Sequence, residues 1–213
     1  MNALILVDLQ YDFMPGGSLA VPEGDEVLAV ANRLIPHFDR VVATQDWHPA
    51  DHLSFASQHK DRSVGDLIEL DGVEQVVWPD HCVQGTRGAA FHEDLDVDRI
   101  RHVVQKGTNR EIDSYSGFFD NGHKQATGLA ALLEELDVKE VAILGLATDY
   151  CVKFTALDAV RLGFATYLIE DGCRGVDLNP GDVVQAIEEM KEAGVKVMTA
   201  DQWIDEQSHS GGE

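Results

Sequence analysis

The feature that most constrains this chain is a repeated alternation. Short apolar, β-branched runs take turns with longer stretches of helical period. "NALILVD" (2–8), "RVVATQD" (40–46), "RHVVQK" (101–106), "EVAILGL" (140–146), "FATYLIE" (164–170) and "VKVMTA" (195–200) read as strands. Helical patterns cover 23–38, 128–137, 149–163 and 181–193. Strands joined through helices pair in parallel, with helices over both sheet faces. The runs lack polar alternation, as strands buried on both faces should. The expected fold is α/β: a three-layer α/β/α, Rossmann-like, six-stranded and mainly parallel sheet. One domain is expected over residues 1–205, followed by a polar, disordered tail over 206–213. The segment 47–100 has weak periodicity and reads as a long functional loop.

In open parallel sheets, ligands bind beyond the carboxyl ends of the strands. The first run ends at Asp8, the second at Asp46 and the third at Lys106. The fourth leads into Thr148, Asp149 and Cys151. Thr148 suits an N-cap, which puts Cys151 in the first turn of a helix, where the dipole favours a thiolate. Free amides in that turn could hold an oxyanion. Two readings of Cys151 stay open on these residues alone: a buried packing thiol, or a nucleophile. Asp8 reads as a general base or as a loop cap. Lys106 would keep Asp8 ionised and favour the thiolate.

"TQDWHPADHLSF" (44–55) and "WPDHC" (78–82) supply Asp46, His48, His52 and His81. In extended chain, residues two apart share a side, so Asp46 and His48 can face one ion. A carboxylate with imidazoles suits zinc first, with iron or manganese as alternatives. Asp46, His48 and His81 are the expected ligands, with His52 a further candidate. The remaining histidines read as surface residues, and Cys82 and Cys173 as structural thiols, Cys173 in a turn after its strand.

The 213 residues carry 38 acidic and 16 basic side chains, a formal charge of -22. That excess disfavours nucleic acid and anionic membranes as partners. Salt adaptation is a further reading of the charge. No apolar run is long enough to span a bilayer. Three cysteines in a chain of this length point to reduced thiols and a cytoplasmic location. Homo-oligomerisation stays open.

Six blocks carry a family resemblance: "LILVDLQYDFMPGGSLAV", "TQDWHPADHLSFAS", "VVWPDHCVQGTRGAAFH", "VVQKGTN", "YSGFFDN" and "LGLATDYCVKFTALDA". In order and spacing the chain resembles the nicotinamidase branch of the isochorismatase-like cysteine hydrolases. The resemblance implies a catalytic triad of Cys151, Asp8 and Lys106. It implies one divalent ion on Asp46, His48 and His81, with His52 at a position where members vary. It implies a cis peptide before Ala147 and an oxyanion hole from the Ala147 and Cys151 amides. The substrate would be a small aryl amide, nicotinamide or an analogue, held among Phe13, Trp78 and Tyr115 with its ring nitrogen on the metal. Within the superfamily, isochorismatases lack the cysteine and carbamoyl-amide hydrolases lack the metal cluster. A non-catalytic scaffold would have no use for thiol, base, lysine and ligands together.

Overall fold

The computed structural model describes residues 1–210. Six strands pair throughout in parallel: β1 (Asn2–Val7), β2 (Val41–Asp46), β5 (His102–Lys106), β6 (Glu140–Leu146), β7 (Ala165–Arg174) and β8 (Lys196–Met198). Their order is β5-β2-β1-β6-β7-β8. The chain therefore builds outward from β1 to β5, then returns to β6 on the other side of β1. Right-handed crossovers then place α1 (Glu26–Leu34) on one face and α3 (Lys153–Arg161) with α4 (Asp182–Glu192) on the other. Helix α2 (Leu129–Glu135) makes the long return. The central strands β1, β2 and β6 are buried on both faces, with Leu4, Ile5, Leu6, Val141, Ile143 and Leu144 fully inaccessible.

The strand order reverses between β1 and β6, and a crevice opens there at the carboxyl ends. Gly145 pairs with Val7 at this point. Gly145 has a φ of 133°, and a Cβ there would collide with the Val7 backbone. Only glycine allows that approach.

Three expectations need correction. The segment 47–100 is not one loop, because it holds an antiparallel hairpin, β3 (Leu67–Leu70) and β4 (Val73–Val76). Its turn is Asp71-Gly72, both with positive φ, the pair that best closes a two-residue hairpin. The helix expected over 23–38 stops at Leu34 and continues as one 3-10 turn around Pro36, which cannot donate to a helix ladder.

The tail expected to be without structure from residue 206 is helical through Ser210, in α5 (Ala200–Ser210). Residues 211–213 lie outside the described residues. A capping box starts α5: the Gln202 amide donates to Thr199 Oγ1 (3.3 Å) and the Thr199 amide to Gln202 Oε1 (2.8 Å). Trp203, fully buried, docks the helix by stacking on Phe38 at 5.2 Å.

Candidate active site

Strand register brings three ionisable groups together. Asp46 and Lys106 are direct neighbours on β2 and β5. Asp8 follows β1 with a φ of 53°, a conformation aspartate tolerates better than most residues. Its Oδ1 accepts a 2.6 Å bond from Thr44 on β2. Lys106 Nζ then lies 2.9 Å from Asp8 Oδ2 and 2.6 Å from Asp46 Oδ1, and donates to the Ser114 carbonyl at 3.0 Å. Its fourth neighbour is Cys151 Sγ, at 3.3 Å. All four side chains are buried. A carboxylate oxygen of each aspartate lies within 4.8 Å of the sulfur. Asp8 thus has Thr44 on one oxygen and the Lys106 ammonium beside the other, within reach of the thiol.

Burial decides the protonation states. It pushes Asp8 up, with Asp46 adding to the rise and Lys106 opposing it. Asp46 is held well below the usual range, because Lys106 and His48 together outweigh its burial. Lys106 stays charged: burial works against the ammonium, but two carboxylates overcome it. Cys151 is pushed well up by burial, with Lys106 opposing and Asp8 and Asp46 adding to the rise. The helix dipole and Lys106 favour the thiolate, but burial works against it more strongly. At rest the group is a thiol beside a carboxylate of raised basicity.

The turn that carries Cys151 differs from the expected helix start. Residues Thr148–Val152 form a π turn, Ala147 is its N-cap, and no side chain caps it. The Tyr150 and Val152 amides both donate to the Ala147 carbonyl at 3.1 Å, a pattern that skips Cys151. The Leu146–Ala147 peptide is cis, as the resemblance implies. Cys173 lies not in a turn but inside β7, opposite Gly145. All three cysteines are free.

A second cluster hangs from loops. Gln10 clamps the end of β2: its Oε1 accepts the Asp46 amide and its Nε2 donates to the Asp46 carbonyl, both at 2.8 Å. His48 Nδ1 bonds the Gly107 carbonyl (2.8 Å) and His81 Nδ1 the Pro79 carbonyl (2.7 Å). Carbonyls only accept, so both Nδ1 atoms carry protons and both Nε2 atoms turn to Asp46 Oδ2, at 3.2 and 3.6 Å. This is the pattern by which supporting bonds aim imidazole ligands at a metal. A Cβ on Gly107 would strike the His48 ring. Asp46 and Asp113 raise His48 to about 9 against its burial, so an ion there would take a proton's place. One carboxylate and two imidazoles, with donor atoms within 4.8 Å of one another, fit a divalent cation.

His52 stands apart from that trio. Its Nδ1 accepts the Ser54 amide (3.1 Å), which leaves the proton on Nε2. Its donor atom groups with His48 and Asp113.

Phe13, Trp78 and Tyr115 line one pocket together with Cys151, Ala147 and His81. Tyr115 Oη accepts bonds from Trp78 Nε1 (3.0 Å) and Gln75 Nε2 (2.8 Å), which orients the pair. Sequence reasoning missed Asp113, Tyr150 and Val176 in the same lining. Tyr150 sits edge-on to both Trp78 and Tyr115. Its place beside Cys151 was the available signal. Val176 carried none.

An isochorismatase domain matches residues 2–202. The chain belongs to the isochorismatase family. Within it, a nicotinamidase of Escherichia coli is 51% identical over 97% of this chain and 98% of that protein. The structure of an Acinetobacter baumanii nicotinamidase/pyrazinamidase superposes with a TM-score of 0.92 at 45% identity, over 95% of this chain and 97% of that one. A Pyrococcus horikoshii pyrazinamidase, solved in complex with zinc, gives 0.75 at 42% identity, over 93% and 98%. This family member is an amidohydrolase of the nicotinamidase branch. No described helix is long and apolar enough to cross a membrane.

Proposed function

We propose that the enzyme converts nicotinamide to nicotinate and ammonia, and accepts pyrazinamide, through a thioester on Cys151. One observation carries this reading. Lys106 Nζ touches the thiol, its candidate base and a candidate metal ligand at once, so the two clusters form one site.

Each residue has a role that follows from its surroundings. Asp8, raised by burial, is the base that takes the Cys151 proton. The sulfur attacks the carboxamide carbon, and Lys106 holds charge balance among Asp8, Asp46 and sulfur. The Ala147 and Cys151 amides receive the oxyanion. Asp8 returns its proton to nitrogen, the C–N bond breaks and ammonia leaves. Asp8 then takes a proton from water, which attacks the thioester. The C–S bond breaks, the thiol recovers its proton from Asp8, and nicotinate departs.

Asp46, His48 and His81 would hold a divalent ion, which when bound supplies a Lewis-acidic seat for the ring nitrogen. Zinc is the first expectation, supported by the zinc-bound Pyrococcus horikoshii relative. Phe13, Trp78 and Tyr115 sandwich the ring and exclude water.

Ammonia release from nicotinamide, pyrazinamide and an aliphatic amide, before and after chelation, tests the proposal. Aryl amides should be hydrolysed by metal-loaded protein and lost as substrates on chelation. No ammonia from any aryl amide would end the functional reading. Full activity without metal would end the ring-orienting role.

A further inference from the structure

One wall of the ring pocket belongs to a segment with no catalytic group. Residues 175–181 link β7 to α4 without helix or strand, and Val176 is their contribution to the lining. A single carboxylate from the turn after the neighbouring strand β6 pins this segment. The Val176 amide donates to Asp149 Oδ1 at 3.0 Å, and the Asp177 amide to Asp149 Oδ2 at 2.8 Å. Asp149 is 4% exposed and lies two residues before Cys151. Gly175 closes on the same carboxylate, since a Cβ there would come within 3.1 Å of Oδ1 and strike Val183. Asp177 extends the constraint. Its Oδ1 accepts the Gly181 and Val183 amides and so ties the start of α4 to the segment.

Asp149 itself is absent from the ring pocket's lining. It spends both oxygens on two consecutive amides, bonds that are stronger for the charge on the acceptor. The π turn that holds the nucleophile and the wall that faces it are thereby one hydrogen-bonded unit.

We propose that Asp149 is a positioning residue that sets the width of the ring pocket, by holding Val176 at a fixed distance from Cys151. The inference rests on the reading of this pocket as the seat of an aryl amide. Without the clamp, the wall moves while base and lysine keep their strand-end positions and the thiol keeps the turn held by the Ala147 carbonyl. Binding and ring-size discrimination then suffer more than the chemical step.

The test compares Asp149→Ala, Asp149→Asn, Val176→Ala and the Asp149→Ala/Val176→Ala pair. Turnover is measured on nicotinamide and on a nicotinamide with a bulky ring substituent. Cys151 labelling is followed by mass spectrometry with iodoacetamide and with a bulky N-aryl maleimide. Asp149→Ala should raise KM for nicotinamide about tenfold, with a smaller loss in kcat, as a misplaced binding wall does. Preference for the unsubstituted ring should shrink, and maleimide labelling should gain on iodoacetamide. Asp149→Asn, which keeps one acceptor oxygen, should fall between. The double variant should be less than additive, because both changes act through one wall.

A fall in kcat at constant KM, additive losses, or an unchanged labelling ratio would overturn the proposal. Should Asp149→Ala fail to fold, Asp149→Asn and Val176→Ala carry the same readouts. A wild type that hydrolyses no aryl amide would sink the functional reading alone, since the labelling ratio still tests the clamp.

Discussion

The two halves of the site are built by different means. Asp8, Lys106 and Cys151 stand at the ends of parallel strands or one turn beyond, so sheet register sets their distances. His48 and His81 stand on irregular chain. Isolated bridges hold it, His48 to Val83 and Phe55 to Trp78, together with the Asp12 carboxylate on the Cys82 amide at 2.7 Å. In the first half, function and folding share the same buried charges. In the second, ligands hang from a frame that does not need them. Damage to the strand-end cluster should therefore reach stability or chemistry at its root. Damage to the loop cluster should reach metal and substrate binding while the fold stands.

The largest effect expected is on chemistry without stability. Cys151→Ala should lower kcat by about 10⁴-fold or more, as loss of a covalent nucleophile does, while its denaturant midpoint stays near the wild-type value. A modest loss of kcat would break the assignment of the strand-end cluster. Lys106→Met should sharpen the contrast, because it leaves two buried carboxylates without their cation. Removing one partner of such a group costs about 3–5 kcal/mol, which urea unfolding of the metal-free protein would read. Asp8→Asn added to it should recover part of the loss.

The loop half is probed by His81→Ala. Metal affinity, measured by competition with a chromophoric chelator, should fall by more than the roughly 10–100-fold that loss of a supporting bond costs. Stability of the metal-free protein should fall by less than in Lys106→Met, by about 0.5–3 kcal/mol as for most single substitutions, because His81 is buried against Phe13 and Phe55 but its loss strands no buried charge. A loss as large as that of Lys106→Met would erase the distinction.

The smallest effect concerns Cys173, a buried thiol on the same sheet with no base beside it. Burial, more than the nearby acidic groups, pushes it from 9.0 to about 12. Between those values the native thiol keeps its proton and the unfolded one does not. Stability from this group is therefore full below pH 9 and falls as pH rises toward 12, by about 1.4 kcal/mol per unit. Urea unfolding across that range should show a shallower alkaline decline in Cys173→Ala than in wild type.

What the sequence revealed follows the same division. The central strands β1, β2 and β6 were legible because burial on both faces leaves little polar alternation, the outer strands through their β-branched and aromatic residues, and the strand ends then pointed to Asp8, Asp46 and Lys106. The loop ligands were legible only as residue types at a spacing, strengthened by resemblance. Two elements carry only short local signals: Asp71-Gly72 between brief β runs, and the Thr199/Gln202 box before Trp203. Both lie where hydrophobic periodicity is weak. Val176 had no local signal at all, because the bonds that hold it at the pocket are tertiary ones, from its own amide and that of Asp177 to the Asp149 carboxylate. The balance at Cys151 was legible only in part: a helix start favours the thiolate, whereas burial and two carboxylates push the thiol's pKa up.

The central claim is that turnover passes through an acyl group on Cys151. Adding hydroxylamine to the metal-loaded enzyme during nicotinamide turnover tests it most directly, with nicotinate and nicotinohydroxamate quantified together. A thioester partitions between water and hydroxylamine, so hydroxamate should rise with hydroxylamine concentration at the expense of nicotinate and vanish in Cys151→Ala. Nicotinate as the sole product at every hydroxylamine concentration, with ammonia release undiminished, would contradict the account.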